Sequence, residues 1–293
     1  QKTLNEIVAF ITKYRHQYPI KIMCKVLGIR RSTYYKKCNW TASHREIETQ
    51  KLDAEIKKIY FDSKKRYGAP KIHSILLSDG RTLSLKRVQR RMVVMGLRSI
   101  VIKKYRHYSG HTKVVEQENL LQQDFTATAI NQKWCTDITY IHTLKDGWTY
   151  LASVMDFYSK KIIGWSYGTH MTADLALKAV ENACLNVKST EGIIIHSDLG
   201  SQYTSDLFES YLSKAKMKHS FSRKGCPYDN ACIESFHSLL KKEEVHLHTY
   251  IDSKDAYNSI FEYIESWYNR KRIHSSLNYM TPEAVHNMAP CAA

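Results

Sequence analysis

No stretch of this 293-residue chain is apolar over the roughly 18 residues that a membrane span needs, so no membrane partner is expected. The opening, Gln1 to Ile20, lacks the shape of a signal peptide, because charges break every apolar stretch. It also lacks an initiator methionine, so the chain is expected either to have been trimmed or to continue from an upstream segment. No Cys-x-x-Cys pair exists, and the seven cysteines (Cys24, Cys38, Cys135, Cys184, Cys226, Cys232 and Cys291) are odd in number and scattered. That usage points to a reducing cytoplasm rather than to a disulfide framework. Cys226, Cys232 and His237 lie near one another, but their spacing fits no familiar zinc pattern, and inert thiols are the expectation.

Acidic residues are scarce in the front of the chain. Residues 1–113 hold 27 Lys and Arg against 7 Asp and Glu, an excess of 20 positive charges; residues 114–293 hold 17 against 21, a deficit of 4. Together they give the overall +16. Such asymmetry predicts a front half that binds a polyanion and a back half of another kind. With 43% hydrophobic residues both halves should fold, and the length suits two or three domains.

The first segment, residues 1–45, reads as a helix-turn-helix. Leu4, Ile7, Val8 and Ile11 recur at helical spacing, and Pro19 is expected to end that run. A short helix through Val26 breaks at Gly28, and Arg30, Arg31, Ser32, Thr33 and Tyr34 open another, with Ser32 or Thr33 as its cap. The second helix of such a unit can enter the major groove, so these five residues are candidate DNA contacts. Residues 46–113 repeat the style. Ser84 is set to cap a helix that Gly96 ends, with Val88, Met92 and Met95 on one face. Arg87, Arg90 and Arg91 take the opposite face and are suited to phosphate. A polar linker is expected over 114–130.

From Gln132 the texture changes. Three β-rich runs, Trp134–Ile141, Trp148–Phe157 and Lys161–Tyr167, precede a helix over 173–187. A short strand at Ile193–Ile195, a helix over 204–215, a strand over 218–222 and helices over 230–245 and 253–267 follow. That order predicts an α/β unit: a mixed sheet of five strands with flanking helices. A core over 131–250 and a C-terminal helix and tail over 251–293 complete the expected division.

Three acids stand where a site for divalent ions would form. Asp137 sits within a strongly β run, where a charge is costly unless paired or liganded. Asp198 follows the Ile193–Ile195 strand, at the kind of strand end where α/β folds place ligands. Glu234 lies one turn into a helix after the loop Gly225–Asp229. Phosphoryl transfer by two ions needs carboxylates converging from separate elements, and magnesium or manganese suits all-oxygen donors. Singly, each acid has a dull explanation as a cap, a surface residue or an ion-pair partner. Their joint placement, with 35 residues between Asp198 and Glu234, is the persuasive feature.

The chain resembles the catalytic protein of insertion-sequence transposases of the IS-three family, whose core looks like retroviral integrase. The resemblance rests on Tyr18–Tyr35, Arg66-Tyr67-Gly68, Trp134–Tyr140, His196-Ser197-Asp198 through Tyr203, and Asp229-Asn230-Ala231 with Glu234-Ser235-Phe236. Its tail runs from Tyr268-Asn269 through Arg272, His274–Leu277, Tyr279 and Thr281-Pro282. It implies an RNase-H-like core preceded by an all-α DNA-binding region, and an Asp137–Asp198–Glu234 metal site holding two ions. The activity implied is metal-dependent cleavage and strand transfer at the ends of an insertion sequence. It implies double-stranded DNA as partner, both element ends and target, and a homo-oligomer on DNA in a bacterial cytoplasm; no small-molecule substrate is implied. Lys241, seven residues beyond Glu234 on the same helix face, matches a basic residue that touches the DNA end in similar enzymes. Asn230 either positions Glu234 or DNA, or caps the helix. His196 and Gln202 contact substrate or pack, and Arg272 and His274 are expected to pack. Two rival readings are a DNA-binding repressor, which the complete triad opposes, and a nuclease that cuts without joining, which no residue excludes.

Overall fold

A computed structural model describes residues 3–39, 41–101, 119–121, 124, 126–222 and 230–289. The first three helices are α1 (Leu4–Tyr14), α2 (Ile20–Val26) and α3 (Arg31–Cys38). Thr3 and Glu6 close a capping box at the start of α1. Pro19 does not end α1, which stops at Tyr14; it precedes α2, where its fixed φ suits an N-cap. Helix α3 begins at Arg31 with Arg30 at the cap and no side-chain cap bond, so neither Ser32 nor Thr33 serves. Ile11, Met23, Cys24 and Tyr34 make a core belonging to these three helices.

The next unit holds α4 (His44–Asp62), α5 (Ala69–Ser78) and α6 (Leu85–Val94). Ser43 and Glu46 form the capping box of α4, and Ser84 accepts from the Arg87 N–H at the start of α6. Gly96, at φ +68°, takes the left-handed conformation that stops α6. Leu52, Ile56, Ile72, Leu76, Val88 and Met92 are buried in one cluster with residues of the sheet and of the last helices.

The sheet has order β3-β2-β1-β4-β5, with β1 (Lys133–Thr143), β2 (Gly147–Asp156), β3 (Ile162–Gly168), β4 (Ile194–Ser197) and β5 (Lys218–Phe221). The first three strands form antiparallel pairs, while β4 joins β1 and β5 in parallel. Helices α7 (Ala173–Cys184) and α8 (Asp206–Lys214) share one apolar cluster with Trp134, Ala152, Val154 and Ile195. Gly164 of β3 lets α7 approach: a Cβ there would stand 2.7 Å from the Ala183 Cβ and closer still to the Ala179 carbonyl. The other face takes α9 (Ala231–Glu243) and α10 (Ser253–Phe261), and α11 (Pro282–Met288) closes the described chain.

Helix α10 runs into a π-helical stretch over Glu262–Tyr268 instead of continuing as α-helix to Trp267. The wider turn buries Tyr263, Ile264, Trp267 and Tyr268 together. Tyr263 and Trp267 thereby both donate to the buried Glu243 carboxylate, at 3.1 and 3.2 Å. Arg66, in the turn before α5, lies against the same region. Its Nη2 meets Glu244 at 2.6 Å, and its guanidinium sits 4.8 Å from the Trp267 ring centroid. Tyr67 donates to the Lys271 carbonyl and accepts from the Ile273 N–H. The Arg66-Tyr67-Gly68 motif therefore fastens the α4–α6 unit to the rest of the molecule.

Candidate active site

Strand β1 pairs with β4 only over Lys133–Cys135, with Cys135 opposite His196. Beyond that point the two strands part, and extending the register sets Asp137 level with Asp198. The two carboxylates flank the point where the sheet opens, near enough for the Asp137 charge to act on Asp198. Walls around the accessible Asp198 carboxyl raise its pKa first, and the Asp137 charge raises it further; the Gly200 N–H, donating at 3.0 Å, opposes both.

Asp137 is held from the α9 side. His237 Nδ1 stands 3.4 Å from Asp137 Oδ2, and its Nε2 lies 2.7 Å from the Ser153 hydroxyl on β2. Ser153 is the cross-strand partner of Asp137, so the three groups form a short chain through the sheet. Sequence reading weighed His237 only as a zinc ligand beside Cys226 and Cys232, and missed Ser153. The available signal was spacing, since His237 lies three residues after Glu234 and so shares its helix face. The buried Tyr203 hydroxyl meets Thr136 at 3.2 Å and braces β1 beside the acids.

Glu234 lies exposed in the first turn of α9. Among the described residues no three His, Cys, Asp or Glu side chains are gathered closely enough to hold a metal ion, so Glu234 does not close a cage with the two aspartates in this conformation. The Asp137–Asp198 pair itself fits a hard divalent cation. Its donors are all oxygens, and their mutual repulsion is what a cation relieves. The Gly225–Asp229 loop and Cys226 lie outside the described residues.

Lys241 sits on α9 with its ammonium 4.1 Å from the Tyr140 ring centroid. Partial burial pushes its pKa down, and the nearby Asp137 charge partly restores it. Asn230 occupies the N-cap position of α9 but makes no side-chain cap bond, and its buried Oδ1 has no hydrogen-bond partner among the described residues. His196 is buried between the Ser220 and Ser222 hydroxyls, at 2.9 and 3.1 Å, which is the packing alternative. Gln202 reaches the Met171 carbonyl at 3.5 Å. Arg272 and His274 are buried, and Arg272 grips Glu243 at 2.8 Å.

The expected DNA contacts divide. Arg30, Arg31 and Ser32 are exposed and Thr33 half-buried, but Tyr34 is only 1% exposed and cannot face DNA. An eight-residue helix needs an apolar anchor, and Tyr34 fills the small core instead. On α6, Arg91 makes a bidentate pair with Asp53 and Arg87 pairs with Glu48; Arg90 alone of the three makes no ion pair among the described residues.

Comparison with known proteins places this geometry. The integrase core domain family matches residues 127–227, a second integrase core domain family matches 215–282, and an HTH-like domain family matches 46–105. The transposase InsF of insertion sequence IS3A from Escherichia coli K12 is 39% identical over 282 residues, spanning 95% of this chain and 97% of that protein. The transposase of element IS904 from Lactococcus lactis IL1403 is 40% identical over 242 residues, spanning 82% of this chain and 95% of that one. Among solved structures, the simian T-cell lymphotropic virus intasome with the PP2A regulatory subunit B56 gamma gives a TM-score of 0.47 at 14% identity, covering 81% of this chain and 77% of that one. The HTLV-2 integrase catalytic core with magnesium gives 0.41 at 17% identity, covering 55% and 99%. Matched along nearly its whole length, the chain belongs to the IS3 family of insertion-sequence transposases, phosphoryl-transfer enzymes with an integrase core.

Proposed function

We propose that Asp137, Asp198 and Glu234 together hold two divalent metal ions and that cleavage and joining of DNA ends take place between them. The observation that carries this reading is the meeting of Asp137 and Asp198 where β1 and β4 part, two carboxylates whose charges disfavour one another. Glu234 completes the site from the first turn of α9, the helix whose His237 touches Asp137, once metal binding draws its carboxylate toward the aspartates. Magnesium or manganese bound there would polarise the scissile phosphate and make water a stronger nucleophile.

The chain's own groups prepare that chemistry. Ser153 and His237 fix the orientation of the Asp137 carboxylate. Lys241 supplies positive charge beside the pair and is placed to hold a phosphate. Asn230, whose buried carbonyl oxygen has no partner among the described residues, is available to position either Glu234 or the DNA end. Hydrolysis at the element's end frees a 3′ hydroxyl, which attacks a phosphorus of a second strand in the same site, and the P–O3′ bond of that strand breaks to release its own 3′ hydroxyl; positioning and charge neutralisation suffice, without a covalent protein–DNA bond. Arg30 at the cap of α3 and Arg31, Ser32 and Thr33 in its first turn, with Arg87, Arg90 and Arg91 on α6, bring in duplex DNA. For Arg87 and Arg91 this requires exchanging a carboxylate for a phosphate. The enzyme works as a homo-oligomer on DNA in the bacterial cytoplasm.

Asp137→Asn, Asp198→Asn and Glu234→Gln should each abolish metal-dependent cleavage and joining while leaving DNA affinity nearly unchanged. Strand-transfer and gel-shift assays on the same preparations test this. Substantial activity in any one variant, or activity that survives exhaustive chelation, would overturn the assignment.

A further inference from the structure

Beyond the active site the β1–β2 hairpin projects past its neighbours. Strand β4 pairs with β1 only as far as Cys135, and β3 pairs with β2 only from Tyr150 onward. The hairpin tip is therefore a two-stranded ribbon. One face is covered, with Ile141, Thr143 and Thr149 buried; at the very tip the β1 edge is joined by a backbone bridge from Thr143 to Tyr250, which braces the ribbon there. The opposite face carries Tyr140, His142 and Trp148. The cluster around α7 reaches this face only as far as Tyr150. Tyr140 stays 50% exposed, Trp148 55% exposed, and His142 is exposed too.

These rings are organised. Trp148 lies edge-on to Tyr140 at 5.2 Å and to His142, its cross-strand partner, at 5.1 Å. The Lys241 ammonium rests over Tyr140. Tyr140 is three residues from Asp137 on one strand, about 10 Å or some three base steps of DNA along it, and alternation turns it to the other face of the ribbon; the two are linked around the edge by Lys241, whose ammonium touches the Tyr140 ring and feels the Asp137 charge. Large aromatics left bare on a rigid ribbon, with a cation seated on them, suit a flat apolar ring attached to a phosphate.

We propose that Tyr140 and Trp148 form a stacking platform for an unpaired nucleobase at the DNA end, with Lys241 holding the adjoining phosphate. The proposal rests on the reading of Asp137 as part of the active site, which makes this ribbon the neighbour of the scissile phosphate. A strand bent into the site must leave the duplex stack, and stacking on protein rings replaces what the base loses. Because every base presents a π face, the platform tolerates any sequence.

The test uses the full chain and two probes, a hairpin duplex with a blunt end and the same duplex with a single-stranded thymidine overhang. The wild-type protein should prefer the overhang. The Tyr140→Ala/Trp148→Ala double variant should lose about tenfold of that preference while its blunt-end affinity holds. Tyr140→Phe and Trp148→Phe, which keep the rings, should retain it, and melting curves should show the variants folded. Irradiation of 5-iodouracil in the overhang should crosslink Tyr140 or Trp148. An undiminished preference in the double variant, its absence in the wild type, or an equal loss on blunt DNA would overturn the platform. So would a DNA-free dimer that the double variant breaks while overhang preference stays, which would make this face a self-association surface. Asp137→Asn should keep the overhang preference while losing metal-dependent cleavage, so failure of the active-site reading and failure of the platform give separate results.

Discussion

Glu243 shows how much a single buried residue can organise. Burial alone would raise its pKa, but the Arg272 guanidinium overcomes that and holds it low; Tyr263 and Trp267 donate to the same carboxylate. Removing one partner leaves the other charge buried and alone, so Glu243→Ala should cost about 3–5 kcal/mol in urea unfolding. A loss under about 1 kcal/mol would mean that water or a neighbour takes over the Arg272 charge. Beside this pair His274 is driven down to about 3, by burial first and by the Arg272 charge second. Its neutral form belongs to the folded state, so its contribution is complete above the ordinary value of 6.5 and is lost as pH falls from there toward about 3. His219, His246 and His286 are shifted in the same direction. His274→Gln should therefore flatten, without abolishing, the fall of the urea midpoint with acid. An unchanged slope would assign the acid sensitivity to the other groups, the three histidines and carboxylates held low such as Glu243. At this scale the sequence made Asp137 conspicuous as a charge inside a β run and Asp198 as an acid at a strand end. It hid the fate of Tyr34, Arg87 and Arg91, because their partners Ile11, Glu48 and Asp53 are set by how helices pack.

Among the elements, α7 and β3 depend on one missing methyl group. A side chain at position 164 would meet the Ala183 backbone nitrogen at 2.5 Å and its Cβ at 2.7 Å, and helix backbone cannot yield as a flexible side chain does. Gly164→Ala should push α7 away from the sheet and destabilise the protein by roughly 1–3 kcal/mol or more. Thermal melting measures this directly, and a variant as stable as the wild type would show that the helix can slide. Helices with both signals in the local sequence were legible: Ser84 starts α6 and Gly96 stops it, as the spacing predicts. The π-helical stretch was not, since the wide turn over Glu262–Tyr268 is held by Glu243, an acceptor from another helix. The parting of β1 from β4 after Cys135, which brings the aspartates together, likewise depends on strand pairing that no local pattern encodes.

For the whole molecule, charge suggested a division at residue 113, with a basic DNA-binding half and a catalytic half able to fold alone. Packing divides the chain elsewhere. Helices α1–α3 keep their own core, whereas α4–α6 share theirs with the sheet, α9 and α10. The Arg66–Glu244 pair and the Tyr67 bonds to Lys271 and Ile273 cross the same junction. A chain lacking residues 1–42 should therefore melt close to the full-length temperature while binding DNA more weakly and with a shallower salt dependence, because Arg30, Arg31 and their neighbours are gone. A chain lacking residues 1–113 should melt far lower and bind a hydrophobic dye. It exposes the apolar surface that Leu52, Ile56 and Met92 cover together with α10, and it leaves Glu244 without Arg66. Breaking a buried pair of that kind costs about 3–5 kcal/mol, a large part of the roughly 5–15 kcal/mol that holds a domain folded. Arg66→Ala in the full chain separates the two contributions, since it removes the pair and keeps the shared core. If fragment 114–293 melts with the intact protein, the junction is a contact without energetic weight, and the motif Arg66-Tyr67-Gly68 needs another explanation.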